Sequence, residues 1–293
     1  VVFHSGDDVA SAAALAAKSD IVILFAARWD SEGGDAADLS LPNGQDALIE
    51  AVAAANAKTI VVLETGGPVL TPWLPKVAAL LQAWYPGQRG GEAIARILFG
   101  RAEPTGRLSI SFPKSVQDLP RPDIPGYADP KTRQGLTRFG PAFSSLHNEG
   151  ADIGYRWHFK RGQTPLFPFG FGLTYTTFSM AELNVQNAKD SMSVSCAVTN
   201  TGERAGAQTV QVYAQPPAQG AVKRLVGFAK ISLAPGETKV VQFPVELRLL
   251  ARFDVDANCW RIDAGNYALC AGDSSMNTPL KADVTLKARA LKV

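Results

Sequence analysis

Ile21-Val22-Ile23-Leu24-Phe25-Ala26-Ala27 runs directly into Arg28-Trp29-Asp30-Ser31-Glu32-Gly33-Gly34-Asp35. Seven consecutive apolar residues read as a buried strand, and the segment after them gathers three carboxylates, an indole and paired glycines. Open parallel sheets bind ligands beyond the carboxyl ends of their strands. The acids therefore fall where proton-transfer chemistry is expected.

Working outward, Val9 to Ala17 reads as an alanine-rich helix capped by Asp7 or Asp8. Asn43 is the expected cap of a helix whose Leu48, Ile49 and Val52 share one face. Thr59 to Leu63 is a second strand, ending in Glu64-Thr65-Gly66-Gly67-Pro68, and Val77 to Ala83 a third apolar run, ending in Trp84-Tyr85-Pro86-Gly87. Gly90-Gly91 opens a helix carrying Ile94, Ile97 and Leu98, with Gly100 as its left-handed stop, and Arg107 to Phe112 reads as a last strand. This alternation predicts an α/β domain over residues 1–115, a mostly parallel open sheet with flanking helices. Its carboxyl edge collects Trp29, Asp30, Glu32, Glu64 and Trp84.

Residues 116–176 are rich in proline, glycine and charge and read as a long connector loop. From residue 177 to 293 the period becomes two: Met192, Val194, Cys196 and Val198 alternate with polar or small residues, as do Val241, Phe243 and Val245. Turn signals at Asn200-Thr201-Gly202, Pro235-Gly236 and Ala264-Gly265 separate about seven short strands, which predicts an all-β sandwich of the immunoglobulin or fibronectin kind.

Composition narrows the partners. The 293 residues, 46% of them hydrophobic, can fill two cores, and 29 basic against 27 acidic residues give a net charge of +2. With no basic block longer than a pair, neither nucleic acid nor an anionic membrane is an expected partner. No apolar stretch approaches the ~20 residues of a membrane span, and Val1 to Asp8 lacks a signal peptide's regions. Three histidines, without a nucleophile elbow or His-Glu-x-x-His, argue against a serine triad or zinc centre. The glycine pairs match no dinucleotide or Walker pattern, so no cofactor is expected. Cys196, Cys259 and Cys270 have no metal-ligand spacing; Cys259 and Cys270 flank an expected hairpin, where either a disulfide or buried free thiols would fit.

Carboxylates beside tryptophan suit carbohydrate, whose rings stack on aromatics and whose glycosidic bond breaks between an acid and a carboxylate. Glu32 is the best acid: Gly33 and Gly34 allow close backbone approach, and Trp29 can shield it and raise its pKa. A lone glutamate is more often a solvated charge; its position at the functional edge is what singles it out. Trp29 and Asp30 are expected to bind substrate, Asp30 as a hydroxyl acceptor. Asp35 orders the loop, Glu64 is a rival acid, and Trp84 and Tyr85 are packing residues.

Several stretches together resemble the carboxyl-terminal part of glycoside hydrolase family 3, of the bacterial β-glucosidase and exo-glucanase type. They are Trp29 to Asp35 leading into Leu39-Ser40-Leu41-Pro42, then Thr65-Gly66-Gly67-Pro68-Val69 and Trp84-Tyr85-Pro86-Gly87-Gln88. Gly154-Tyr155-Arg156-Trp157 and Pro165 to Tyr175 resemble the connector into the family's fibronectin type III-like domain. Lys131 to Asn148 fits that pattern poorly and receives no role.

The resemblance implies a retaining, exo-acting β-glucosidase acting on oligosaccharides or aryl β-glucosides with terminal β-linked glucose. Glu32 would be its general acid/base, with Asp30 an alternative for that duty. The nucleophile would be an aspartate on a (β/α)8 barrel that this chain lacks. A sheet that starts partway through such a domain would expose a strand edge and apolar surface. The expected setting is periplasmic or secreted. Two other readings remain: a non-catalytic carbohydrate-binding or scaffolding module, and activity from Glu32 with Glu64 if they stand about 5 Å apart, or roughly 6.5 to 9.5 Å for inversion.

Overall fold

The computed structural model describes residues 1–32, 38–123, 146–188, 191–218 and 220–291. They form two compact units, one of Val1–Ala102 with Phe112–Val116, the other of Glu103–Ser111 with Gln117–Val293.

The first unit is the expected α/β layer. β1 (Val22–Arg28), β2 (Thr59–Thr65) and β3 (Ala79–Gln82) form a parallel sheet in that order, with Ala27 level with Glu64 and Arg28 with Thr65. As the central strand, β2 is buried on both faces, and Val61, Val62 and Leu63 have no exposed surface. Edge strand β1 alternates, burying Leu24, Ala26 and Arg28 while Ile23 and Phe25 remain exposed. Ile23 and Phe25 give this edge strand an apolar outer face.

Helix α1 (Val9–Ala16) is capped by Asp8, whose carboxylate accepts the Ala10 N–H at 3.1 Å. Asn56 closes its other end by donating to the carbonyls of Ala16 and Ser19. Helix α2 (Gln45–Ala55) buries Ile49 and Val52 as expected, but Asn43 is not its cap. The N-cap is Gly44, and both Asn43 and Gly44 take positive φ. Gln45 instead turns back: its side-chain oxygen accepts the Ala27 N–H and its amide donates to the Ala27 carbonyl, each at 2.8 Å. A side-chain amide thus pairs with the exposed edge of β1 as a neighbouring strand would. Helix α3 (Gly90–Leu98) is followed by Gly100 at φ +66°, the left-handed stop read from the sequence.

Arg107 to Phe112 is not a strand of this sheet. Residues 107–111 belong to the second unit, where Leu108 donates to the Phe171 carbonyl and accepts from Gly170. Its imperfect alternation fits a segment held by scattered bonds at Arg107, Leu108 and Ser111 rather than along a ladder.

In the second unit, β4 (Phe178–Asn187), β5 (Met192–Asn200) and β8 (Thr238–Val245) form one antiparallel sheet. A second contains β6 (Gly206–Gln215), β7 (Arg224–Leu233), β11 (Gly265–Gly272) and β12 (Leu280–Leu286) in the order β12-β11-β6-β7. One core lies between them. Val194, Cys196, Val198 and Phe243 from the first sheet meet Val210, Val212, Leu269 and Val284 from the second. Each large aliphatic side chain so buried contributes about 1.5–3 kcal/mol. Buried Asn200 holds the expected turn: it accepts from the Thr176 hydroxyl and the Gly202 N–H and donates to the carbonyls of Arg204 and Leu233.

β6 is buried on both faces, because the connector covers its outer side. Gln211 donates to the Gly170 and Asp273 carbonyls, Tyr213 donates to Gln211, and Arg107 donates to Gln208. The described part of the connector also contains a helix that the sequence reading missed, α4 (Tyr155–Arg161), where the Tyr155 ring stacks on Phe169 and its hydroxyl accepts the Leu225 N–H. Residues 131–145 of the segment without an assigned role lie outside the described residues.

The anticipated Cys259–Cys270 hairpin does not form. A third small sheet pairs β10 (Cys259–Ile262) with β9 (Arg252–Asp254) and β13 (Arg289–Leu291), whereas β11 pairs with β6 and β12. The chain changes sheets at Asp263-Ala264, so Cys259 stands opposite Asp254 and Cys270 opposite Tyr213 and Lys281. All three cysteines are free, and burial pushes the Cys196 thiol up.

Two outcomes follow from these environments. Without reductant, thiol titration should find three reactive groups in denaturant, with Cys196 and Cys270 silent in the native protein; one thiol in denaturant would restore the bridge. His158 on α4 is buried with its Nδ1 unbonded among the described residues, and burial, only partly opposed by Asp118, lowers its pKa. The unfolded state therefore binds more protons as pH falls below about 6.5, and stability declines through that window. Melting temperature should fall more steeply between pH 7.5 and 5 in the native sequence than in His158→Gln; equal slopes would contradict this.

Candidate active site

Parallel strands level at their carboxyl ends bring Trp29 and Asp30 after β1 beside Gly66 and Pro68 after β2 and Tyr85 after β3. Period two makes Arg28 an inward residue of β1, so a guanidinium must be satisfied inside the fold. Its Nε donates to Asp30 Oδ1 at 2.9 Å, and its Nη2 donates to Asp30 Oδ2 at 3.4 Å and to the Pro68 carbonyl at 3.2 Å. Nη1 reaches the Asp38 carbonyl at 3.5 Å.

Asp30 Oδ2 also accepts the Gly66 N–H at 3.1 Å. A carboxylate has about four acceptor sites, so most of Asp30's capacity is spent inside the fold. Gly66 has no room for a side chain, since a Cβ would stand 2.7 Å from the Tyr85 hydroxyl and 3.1 Å from the Asp30 Cβ.

Tyr85 is more than a packing residue. Its hydroxyl accepts the Asp30 N–H and lies 3.3 Å from the Arg28 carbonyl and 3.1 Å from the Asp30 carbonyl, to one of which it donates. Trp84 before it takes φ +56° and sets its indole edge-on to Phe112 at 6.3 Å. A bulky residue in the left-handed region costs on the order of 1–3 kcal/mol, here at the bend that turns Tyr85 toward β1.

The Trp29 indole stacks on the Tyr85 ring, with centroids 5.3 Å apart and planes 26° apart, yet remains 82% exposed. Glu32 is exposed, and its carboxylate has no hydrogen bond or ion pair among the described residues. The expected shielding of Glu32 by Trp29 is therefore absent, because the indole is committed to Tyr85. Asp35 and the glycines at 33 and 34 lie outside the described residues. Glu64 is half-buried within β2 itself, opposite Ala27, rather than in the segment that follows.

The structure thus joins Trp29 and Asp30 in one network through Tyr85, and Glu32 follows two residues later as an exposed side chain. Sequence reasoning missed Arg28, Gly66 and Tyr85 as members. Arg28 had a legible signal: a cation at an inward position of an apolar strand, two residues before a carboxylate.

Among the described residues no group of histidine, cysteine and acidic side chains could hold a metal ion, and no helix is long and apolar enough to cross a membrane.

Residues 4–175 match the glycosyl hydrolase family 3 C-terminal domain, and residues 208–275 match a fibronectin type III-like domain. A β-glucosidase of Rhizobium radiobacter is 43% identical over an alignment of 292 positions that covers 95% of this chain and 34% of that protein. Beta-glucosidase B of Emericella nidulans is 40% identical over 99% of this chain and 35% of its own length. Among solved structures, the β-glucosidase DesR of Streptomyces venezuelae, in complex with D-glucose, superimposes with a TM-score of 0.84 at 40% identity, covering 95% of this chain and 35% of that one. That of Kluyveromyces marxianus with glucose gives 0.87 at 34% identity, over 99% of this chain and 34% of that one. The chain spans about a third of the length of these relatives, and it belongs to glycosyl hydrolase family 3, comprising that family's C-terminal domain and a fibronectin type III-like domain.

Proposed function

We propose that these residues form part of a retaining, exo-acting β-glucosidase in which Glu32 is the general acid/base. The nucleophilic carboxylate is supplied from outside this chain by a (β/α)8 barrel. The substrates are oligosaccharides or aryl β-glucosides with terminal β-linked glucose, and the setting is periplasmic or secreted. The names of the relatives, their threefold greater length and the exposed apolar face of β1 support a catalytic partner beyond these residues.

The observation that carries the assignment is the division of labour between two neighbouring acids. Asp30 is bonded to Arg28 and Gly66, whereas Glu32 is exposed and unpartnered among the described residues. A proton-transfer group must be free to meet a substrate, and this favours Glu32 over Asp30. Trp29 offers most of its indole to a sugar ring, and Asp30 keeps about one acceptor site for a hydroxyl.

In the first step the outside carboxylate attacks the anomeric carbon and the glycosidic bond breaks, while Glu32 protonates the departing oxygen. In the second, ionised Glu32 takes a proton from water, whose oxygen displaces the ester and releases glucose with its configuration retained. Glu32 is exposed in this chain, so water around the reacting bond is excluded by substrate and barrel.

In the enzyme assembled with its nucleophile-bearing part, Glu32→Gln should lower kcat/KM on phenyl β-glucoside by about 10²–10⁴. Azide should restore turnover of an activated aryl glucoside and give β-glucosyl azide. An unchanged rate, or slowing that azide leaves as it is, would remove Glu32 from the reaction.

A further inference from the structure

The Glu32 side chain has no bond of its own among the described residues, so its carboxyl is placed by the backbone that carries it. That backbone is gripped two residues earlier. We propose that Arg28, Asp30 and Tyr85 are positioning residues for the acid/base, forming a clamp that fixes where Glu32 stands; this rests on the reading of Glu32 above.

Three features of the geometry carry the inference. Both polar groups of the Asp30 backbone lie on one phenol: its N–H donates to the Tyr85 hydroxyl, and its carbonyl is 3.1 Å from the same oxygen. One guanidinium reaches Asp30 before residues 33–37 and the Asp38 carbonyl after them, at 2.9 and 3.5 Å, so both described flanks of that stretch hang on Arg28. Gly66 closes the third side, donating to Asp30 at 3.1 Å in a space that excludes even a methyl group. Such a network governs the placement of its neighbour, and displacement of a reacting group by about 1 Å can cost 10²-fold in rate.

Tyr85→Phe tests the clamp, because it removes the hydroxyl and keeps the ring under Trp29. The readout is kcat/KM in the assembled enzyme for two glucosides: phenyl, whose departing oxygen needs a proton, and 2,4-dinitrophenyl, which leaves without one. The clamp predicts a fall of about tenfold or more for phenyl and less than about twofold for dinitrophenyl, with Gly66→Ala giving the same split. Partial unfolding would scale both rates equally, so the ratio decides whatever the yield of folded enzyme. Equal losses on both substrates, or no loss on either, would overturn the proposal. Glu32→Gln run alongside separates the two claims. If it splits the substrates and Tyr85→Phe does not, the clamp alone is wrong; if it does not split them, the role of Glu32 falls and the clamp with it.

Discussion

A buried guanidinium at the end of an edge strand is the constraint on which the carboxyl edge of the α/β unit depends. Arg28 must face inward because β1 alternates, and its charge cannot be left unpaired there. Asp30, two residues on, answers it while keeping about a quarter of its own surface exposed. Removing one partner from such a pair typically costs about 3–5 kcal/mol, mostly through the charge left stranded. The guanidinium's other hydrogens go to the Pro68 and Asp38 carbonyls, so one side chain joins the ends of two strands to the segment between β1 and α2. Asp30 is thereby held against the fold, while Trp29 before it and Glu32 after it are exposed.

The second unit shows the same economy around a different element. β6 lies between the sandwich core and a layer of connector, and its outward residues are polar but buried. Outward Gln211 finds partners in Gly170 and Asp273, and Gln208, on the other face, in Arg107. Tyr213, whose phenol burial pushes far up in pKa, bonds to Gln211. Lys223 lies over the rings of Phe159 and Tyr213, and burial lowers its pKa. The residues either side of the α/β unit's last segment are therefore structural parts of the β-sandwich.

What could be read in the sequence had a period or a cap behind it. Parallel strands β1 and β2, the Asp8 cap, the Gly100 stop and the alternation of β5 and β8 were legible because each is a local rule with few competitors. Asn43 misled because Gln45 had a better acceptor and donor in the unpaired edge at Ala27, a tertiary partner no local pattern reveals. Residues 107–112 and the pair Cys259 and Cys270 misled for one shared reason: a short extended segment does not declare which sheet it joins. At the site, residue types singled out Trp29, Asp30 and Glu32, but not how their duties divide. Tyr85 looked like packing because a phenol's hydrogen bonds lie across the sheet, 55 residues from Asp30 in sequence.

We propose that the proton in catalysis is held by Glu32 and that the other essential carboxylate belongs to a different part of the enzyme. The pH profile of kcat/KM on phenyl β-glucoside, recorded for the assembled enzyme and for Glu32→Gln, tests this most directly. With Glu32 as the proton donor, the alkaline limb, which reports loss of the acid's proton, should disappear in the variant while the acidic limb, belonging to the nucleophile, remains. An alkaline limb that survives the substitution would contradict it.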